Sequence, residues 1–191
     1  MLIATALAVA ITVNVTVAPD VPATLVSRAL AETDHIWRSS GLAFAWHRAP
    51  REAATATLHV VIGHAASPAR DGGLALGWIV FEDSKPEQEI YLSYSNARQL
   101  MVESPGVVGV VDRMPILERE TLLARAMGRA LAHEIGHFVL ASKAHTLTGL
   151  MRSRMTATEF FGPDNRTFVL DDGQQSLITA WLRREGIVAS R

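Results

Sequence analysis

The spacing of apolar positions along the chain predicts an order of elements before any chemistry is considered. Ile11-Thr12-Val13-Asn14-Val15-Thr16-Val17 alternates strictly, which is the pattern of a half-buried strand. Pro19, Asp20 and Pro22 end it. Apolar positions then recur with helical period at Leu25, Val26, Ala29, Leu30, Ile36 and Trp37, predicting a helix over 22–39 that Gly41 stops. Residues 42–47 alternate again. A strand, a helix and a strand in this order make two parallel strands with a crossover. The run 56–62 reads as a third, buried strand, and 67–77 as a loop rich in Gly, Pro and Ala. Two more strands follow at 77–81 and 89–94, joined by a charged turn over 82–88 and carrying Tyr91 and Tyr94 as packing residues. A short helix is expected over 96–102 and an apolar linker over 107–112. The longest periodic stretch is 117–142, with Pro115 at its first turn and Glu118 and Glu120 near the positive end of its dipole. Leu122, Leu123, Ala126, Met127, Ala130 and Leu131 give it a broad apolar face. Beyond it, 156–162 reads as a helical turn taking Phe160 and Phe161 into the core. A last helix over 174–184, capped by Asp171-Asp172, carries a stripe of Leu177, Ile178, Trp181 and Leu182. These elements predict an α/β (α+β) fold. A mixed, mainly parallel twisted sheet packs on two long helices, 22–39 and 117–142, with a small C-terminal part.

Composition narrows the chemistry. The 191 residues suit one domain (1–191), with the sheet and long helix in 11–142 and the C-terminal part in 143–191. The net charge of −1 carries no basic excess, so no nucleic acid or anionic membrane surface is expected as a partner. The chain has no cysteine, so a transition-metal site must be built from His, Asp and Glu. Residues 1–19 carry no charge. Thr12, Asn14 and Thr16 break the apolar run too early for a stable membrane span. Residues 1–10 lack the basic start of a signal peptide, although Ala8-Val9-Ala10 resembles a small-residue cleavage site. They read as a signal-like segment or as part of the first strand.

The far end of the long helix carries His133-Glu134-Ile135-Gly136-His137. Histidines at i and i+4 share a helix face and can hold one metal ion together, with the intervening Glu in reach as a general base. Chance gives this pattern in about one chain in a hundred of such composition. A catalytic zinc usually has three protein ligands and an open position. His145, just past the helix end, is the best third ligand; Glu159 and Asp164 are the alternatives. His35, His47, His59 and His64 are scattered and read as surface or hydrogen-bonded residues.

His133-Glu134-x-x-His137, a further His, and then Gly149-Leu150-Met151 together resemble the metzincin clan of zinc metallopeptidases. The resemblance covers most of the chain in layout but only 133–151 in motif. It implies a zincin-like fold and one catalytic zinc ion held by His133, His137 and His145. It implies Glu134 as general base, and Met151 as a hydrophobic floor under the metal. It also implies a peptide or protein substrate bound extended along a strand edge, for which 77–81 is the candidate, and it leans toward a secreted or periplasmic protein. The chain departs from the clan in one respect. Leu140 stands where the clan has a glycine, and Lys143 where it has its third His. Without that glycine the helix should run about half a turn further, to near Ser142, and a two-residue extension should return His145 to the metal. The alternative function is a non-catalytic zinc-binding or protein-binding domain on the same fold. Such a domain would have no need of Glu134.

Overall fold

The structure is a computed structural model and describes residues 9–48, 58–65 and 74–184. The signal-like reading of residues 1–8 lies outside them. Val9 and Ala10 belong to the first strand, β1 (Val9–Val17), which starts two residues before the alternation does. Ile11, Val13 and Val15 are buried while Thr16 is exposed, so the period of two sorts this strand into a core face and an outer face.

Helix α1 (Ala23–Trp37) and strand β2 (Leu42–His47) follow, and β2 pairs parallel to β1 with Ile11 opposite Phe44. β3 (Leu58–Gly63) pairs parallel to the other side of β1. β4 (Gly77–Glu82) and β5 (Lys85–Ser93) form a hairpin in which β5 pairs parallel to β3 and β4 antiparallel to β5. The sheet order is β2-β1-β3-β5-β4, which makes β4 an edge strand. Charge had suggested a long turn over 82–88. The turn is in fact only Asp83-Ser84, both with positive φ (46° and 65°), as a tight two-residue hairpin requires. Lys85 to Gln88 extend β5 instead. This outer half of β5 is solvated, so it carries no apolar signal.

Ser93 caps helix α2 (Tyr94–Val102) by accepting the Asn96 N–H at 3.2 Å. Tyr94 therefore opens a helix and does not close a strand. The expected linker over 107–112 is instead a short helix, α3 (Pro105–Val108), and a 3₁₀ turn (Val111–Arg113). The long helix α4 (Ile116–Leu140) lies against α1. Their backbones approach closely at Gly128, where a Cβ would stand 2.5 Å from the Ala29 carbonyl oxygen. Thr33 donates to the Gly128 carbonyl at 3.0 Å and Trp37 to that of Ala132 at 3.2 Å. Leu123, Ala126, Met127, Ala130 and Leu131 of α4 are buried, as the helical period required.

The C-terminal part holds α5 (Ala157–Phe161), opened by a Thr156/Glu159 capping box, and α6 (Asp172–Arg184). Phe161 is buried and Phe160 half-buried. On α6, Ile178 and Leu182 enter the core, but Leu177 is exposed and does not belong to the stripe. α6 packs against α4. Among the described residues no helix is long and apolar enough to cross a membrane.

Candidate metal centre

His133 and His137 project one turn apart from α4, and His145 reaches them from the loop that follows. A ring nitrogen of each lies within 4.8 Å of the others. The His145 ring stacks on that of His133 (centroids 5.3 Å apart) and meets His137 edge-on at 4.9 Å. Two backbone carbonyls orient the helix pair. His133 Nδ1 donates to Leu150 O at 2.8 Å and His137 Nδ1 to Ser142 O at 2.6 Å. A carbonyl only accepts, so both Nδ1 atoms carry the hydrogen. In the neutral rings both Nε2 lone pairs are then bare, and they face each other 3.0 Å apart. Such an arrangement can hold a cation between the rings. Burial pushes His133 down to about 4 and holds His137 and His145 below the usual range, so protons are disfavoured in that role. Neutral imidazoles with converging lone pairs fit a borderline metal such as zinc.

The helix end sets the second of these carbonyls. Ala141 N–H bonds Phe138 O and Ser142 N–H bonds His137 O, both at 3.2 Å, with Ala141 in the left-handed region at φ 47°. This is a Schellman closure. It ends the helix at Leu140, short of the extension expected from the missing glycine. The sharp exit is kept, made by an alanine, and it brings the Ser142 carbonyl round to His137. The other carbonyl comes from the segment that carries Met151. Leu150 N–H bonds Val169 O and Thr146 N–H bonds Met151 O, each at 2.9 Å. Met151 is buried against Gly136, where a Cβ would lie 2.2 Å from Sδ.

Glu134 is buried and lines the same cavity, of about 1070 Å³, as the three histidines. Burial pushes its carboxyl up to about 8, opposed by a hydrogen bond from the Ile79 backbone. Gly77 passes close above it, since a Cβ there would stand 3.1 Å from Glu134 Cγ. Edge strand β4 thus forms one wall, contributing Gly77, Trp78, Ile79 and Phe81. Trp78 stacks on Tyr91 at 5.4 Å, and the Phe81 ring meets His137 edge-on at 6.4 Å.

The alternative third ligands are engaged elsewhere. Glu159 bonds Thr156 and Arg152. Asp164 is paired with Arg166 at 2.6 Å, which holds its carboxyl down to about 2. Among the described residues the cluster contains His133, His137 and His145 alone. His64 is hydrogen-bonded to Asp20 and Ser95, away from it. Periodicity and motif gave no sign of Arg152, which lines the cavity directly after Met151. Its only mark in the sequence is a charge ending the apolar Leu150-Met151 pair.

A five-stranded mixed sheet, a long helix beneath it, and three imidazoles gathered at that helix end define a zincin-like fold. Archaemetzincin from Methanopyrus kandleri has a similar structure, with a TM-score of 0.55 over 91% of this chain and 96% of its own, at 12% identity. No family model and no curated protein matches the sequence.

Proposed function

We propose that this protein is a zinc-dependent metallopeptidase of metzincin-like type, with His133, His137 and His145 as metal ligands and Glu134 as general base. The observation that carries this reading is the convergence of three imidazole nitrogens with the buried Glu134 carboxyl in one cavity. The zincin-like fold of archaemetzincin agrees with it at the level of architecture. A zinc ion held by three neutral imidazoles would supply Lewis-acid polarisation of a carbonyl and acidify a water.

The chain's own residues do the rest. The carbonyls of Leu150 and Ser142 fix the tautomers of the two helix histidines, so each offers Nε2. Glu134, pinned between Gly77 and the Ile79 backbone, takes the proton from the attacking water and returns it to the leaving amine. β4 is a sheet edge and wall of the cavity. An extended peptide laid along it is held by main-chain hydrogen bonds, with side chains alternating toward Trp78 and Phe81. Met151 packs beneath Gly136 and closes the site from below.

The test is zinc content and peptide-library cleavage by the wild type, His145→Ala and Glu134→Gln. The reading expects one zinc per chain in the wild type and in Glu134→Gln, and substoichiometric zinc in His145→Ala. Turnover by Glu134→Gln should fall roughly 10²–10⁴-fold, the share of a general base. A wild type that takes up no zinc after reconstitution would sink the reading.

A further inference from the structure

Of the charged side chains that line the cavity and have no task in the reaction above, Arg152 is the one with buried nitrogens left unpartnered among the described residues. We propose that Arg152 receives a carboxylate of the substrate, so that the favoured substrates are peptides with a free carboxylate close to the bond being cleaved. The proposal rests on the peptidase reading and deepens it.

The position is set by backbone. Arg152 follows Met151 and pairs as an isolated β-bridge with Thr146, the residue next to His145. It lines the cavity together with His133, Glu134, His137 and His145. Its side chain is 17% exposed and has a single partner among the described residues, Glu159, with Nη1 to Oε1 at 2.6 Å. Nε and Nη2 are buried and have no hydrogen-bond partner among the described residues. These two nitrogens form one edge of the planar guanidinium, the edge that takes a carboxylate by two parallel bonds.

Glu159 cannot fill that edge. Its Oε2 is held by the Thr156 N–H at 2.8 Å and the Thr156 hydroxyl at 2.9 Å, in the capping box that opens α5. It meets Arg152 through one oxygen and leaves the Nε–Nη2 edge without a partner among the described residues. Buried polar groups in folded proteins are normally satisfied, and an orphan calls for an explanation. The other buried arginine shows the contrast. Arg129 bonds Glu32 through Nε and the carbonyls of Glu159 and Gly162 through Nη1. The cavity wall also favours an anion, with Lys143, Arg152 and Arg154 against Glu103 and Glu134.

The carboxylate can come from a chain terminus or from a Glu side chain. Four probes separate these sources: N-acetyl-dialanine as free acid and as amide, and N-acetyl-Ala-Glu-Ala amide beside its Gln counterpart. Binding is followed by NMR titration of zinc-loaded and zinc-free protein, in the wild type, Arg152→Gln and Arg152→Lys. Melting temperature and zinc content serve as controls for folding. In the zinc-free wild type at least one carboxylate probe should bind tenfold or more tightly than its neutral partner. Arg152→Gln should erase that ratio without changing the affinity for the neutral probe. Arg152→Lys, a point charge without the fork, should keep part of it. Equal binding within both pairs, a preference that survives Arg152→Gln, a preference seen only with zinc present, or no binding to zinc-free protein would each overturn the proposal. An Arg152-dependent preference in a protein that neither holds zinc nor cleaves peptides would instead refute the peptidase reading and leave the carboxylate site standing.

Discussion

Gly136 and Met151 show how closely single residues are matched at this site. A Cβ at Gly136 would fall 2.2 Å from Met151 Sδ and 3.0 Å from its Cε. Gly136→Ala therefore forces Met151 to move, at a cost of about 1–3 kcal/mol for an overpacked core. Met151→Ala alone leaves a cavity in a fully packed region and costs about 2–5 kcal/mol. The two changes share one space, so urea denaturation of the double variant should show less destabilisation than their sum. Strict additivity would mean that the two do not touch. The residue scale was also the most legible in the sequence. A helix with His133 and His137 four apart must set both rings on one face, and the structure does so. Met151 was singled out only through its place after Gly149-Leu150. Arg152 could not be found this way, because its significance lies in which of its N–H groups are left unbonded, and that depends on where Glu159 arrives.

At the scale of elements, the exit from α4 decides whether the loop carrying His145 returns to the helix. Leu140 in place of a glycine suggested a longer helix, but the chain turns at Ala141 with φ 47°. Left-handed backbone costs a non-glycine residue about 1–2 kcal/mol. Ala141→Gly should thus stabilise the protein by about 1 kcal/mol, seen as a higher urea midpoint at unchanged slope, with zinc content unaltered. A destabilised Ala141→Gly would mean the closure is not as described. Sequence reasoning missed this because it looked for the glycine that such turns prefer, whereas the closure here forms at an alanine and carries the local bond from His137 to the Ser142 carbonyl. The same blindness lengthened the turn before β5, whose Lys85–Gln88 half faces solvent. Segments with an apolar pattern were legible, the edge strands β2 and β4 included, and the polar half of β5 was not. Arg129 ties three elements together. It lies 1% exposed on α4, pairs with Glu32 of α1 at 2.9 Å, and bonds carbonyls at the end of α5. Removing it by Arg129→Ala leaves Glu32 and those carbonyls without a donor. The expected loss is about 3 kcal/mol by chemical denaturation, the lower end for a broken buried pair because Glu32 keeps some access to water.

For the whole molecule, the candidate centre joins two parts that otherwise meet mainly through α4. His133 and His137 belong to the helix packed under the sheet. His145, and the Leu150 carbonyl that orients His133, belong to the C-terminal segment. A metal held by all three histidines binds only the folded arrangement, so its binding free energy adds to folding stability. At a free concentration a thousand times the dissociation constant the gain is about 4 kcal/mol. In a chain of 191 residues each kcal/mol moves the midpoint by roughly 2–4 °C, which predicts a fall of about 8–16 °C on chelation. Scanning calorimetry of the protein before and after chelation, and after zinc is restored, measures this. His145→Ala should lose most of the difference, because two histidines from one helix no longer link the helix to the loop. Glu134→Gln should keep it, since the proposed ligands are the three histidines. Identical midpoints with and without zinc, in protein shown to bind it, would mean that the three imidazoles do not act as one clamp across the two parts. The dependence of stability on metal thus tests the architecture of the site separately from its chemistry.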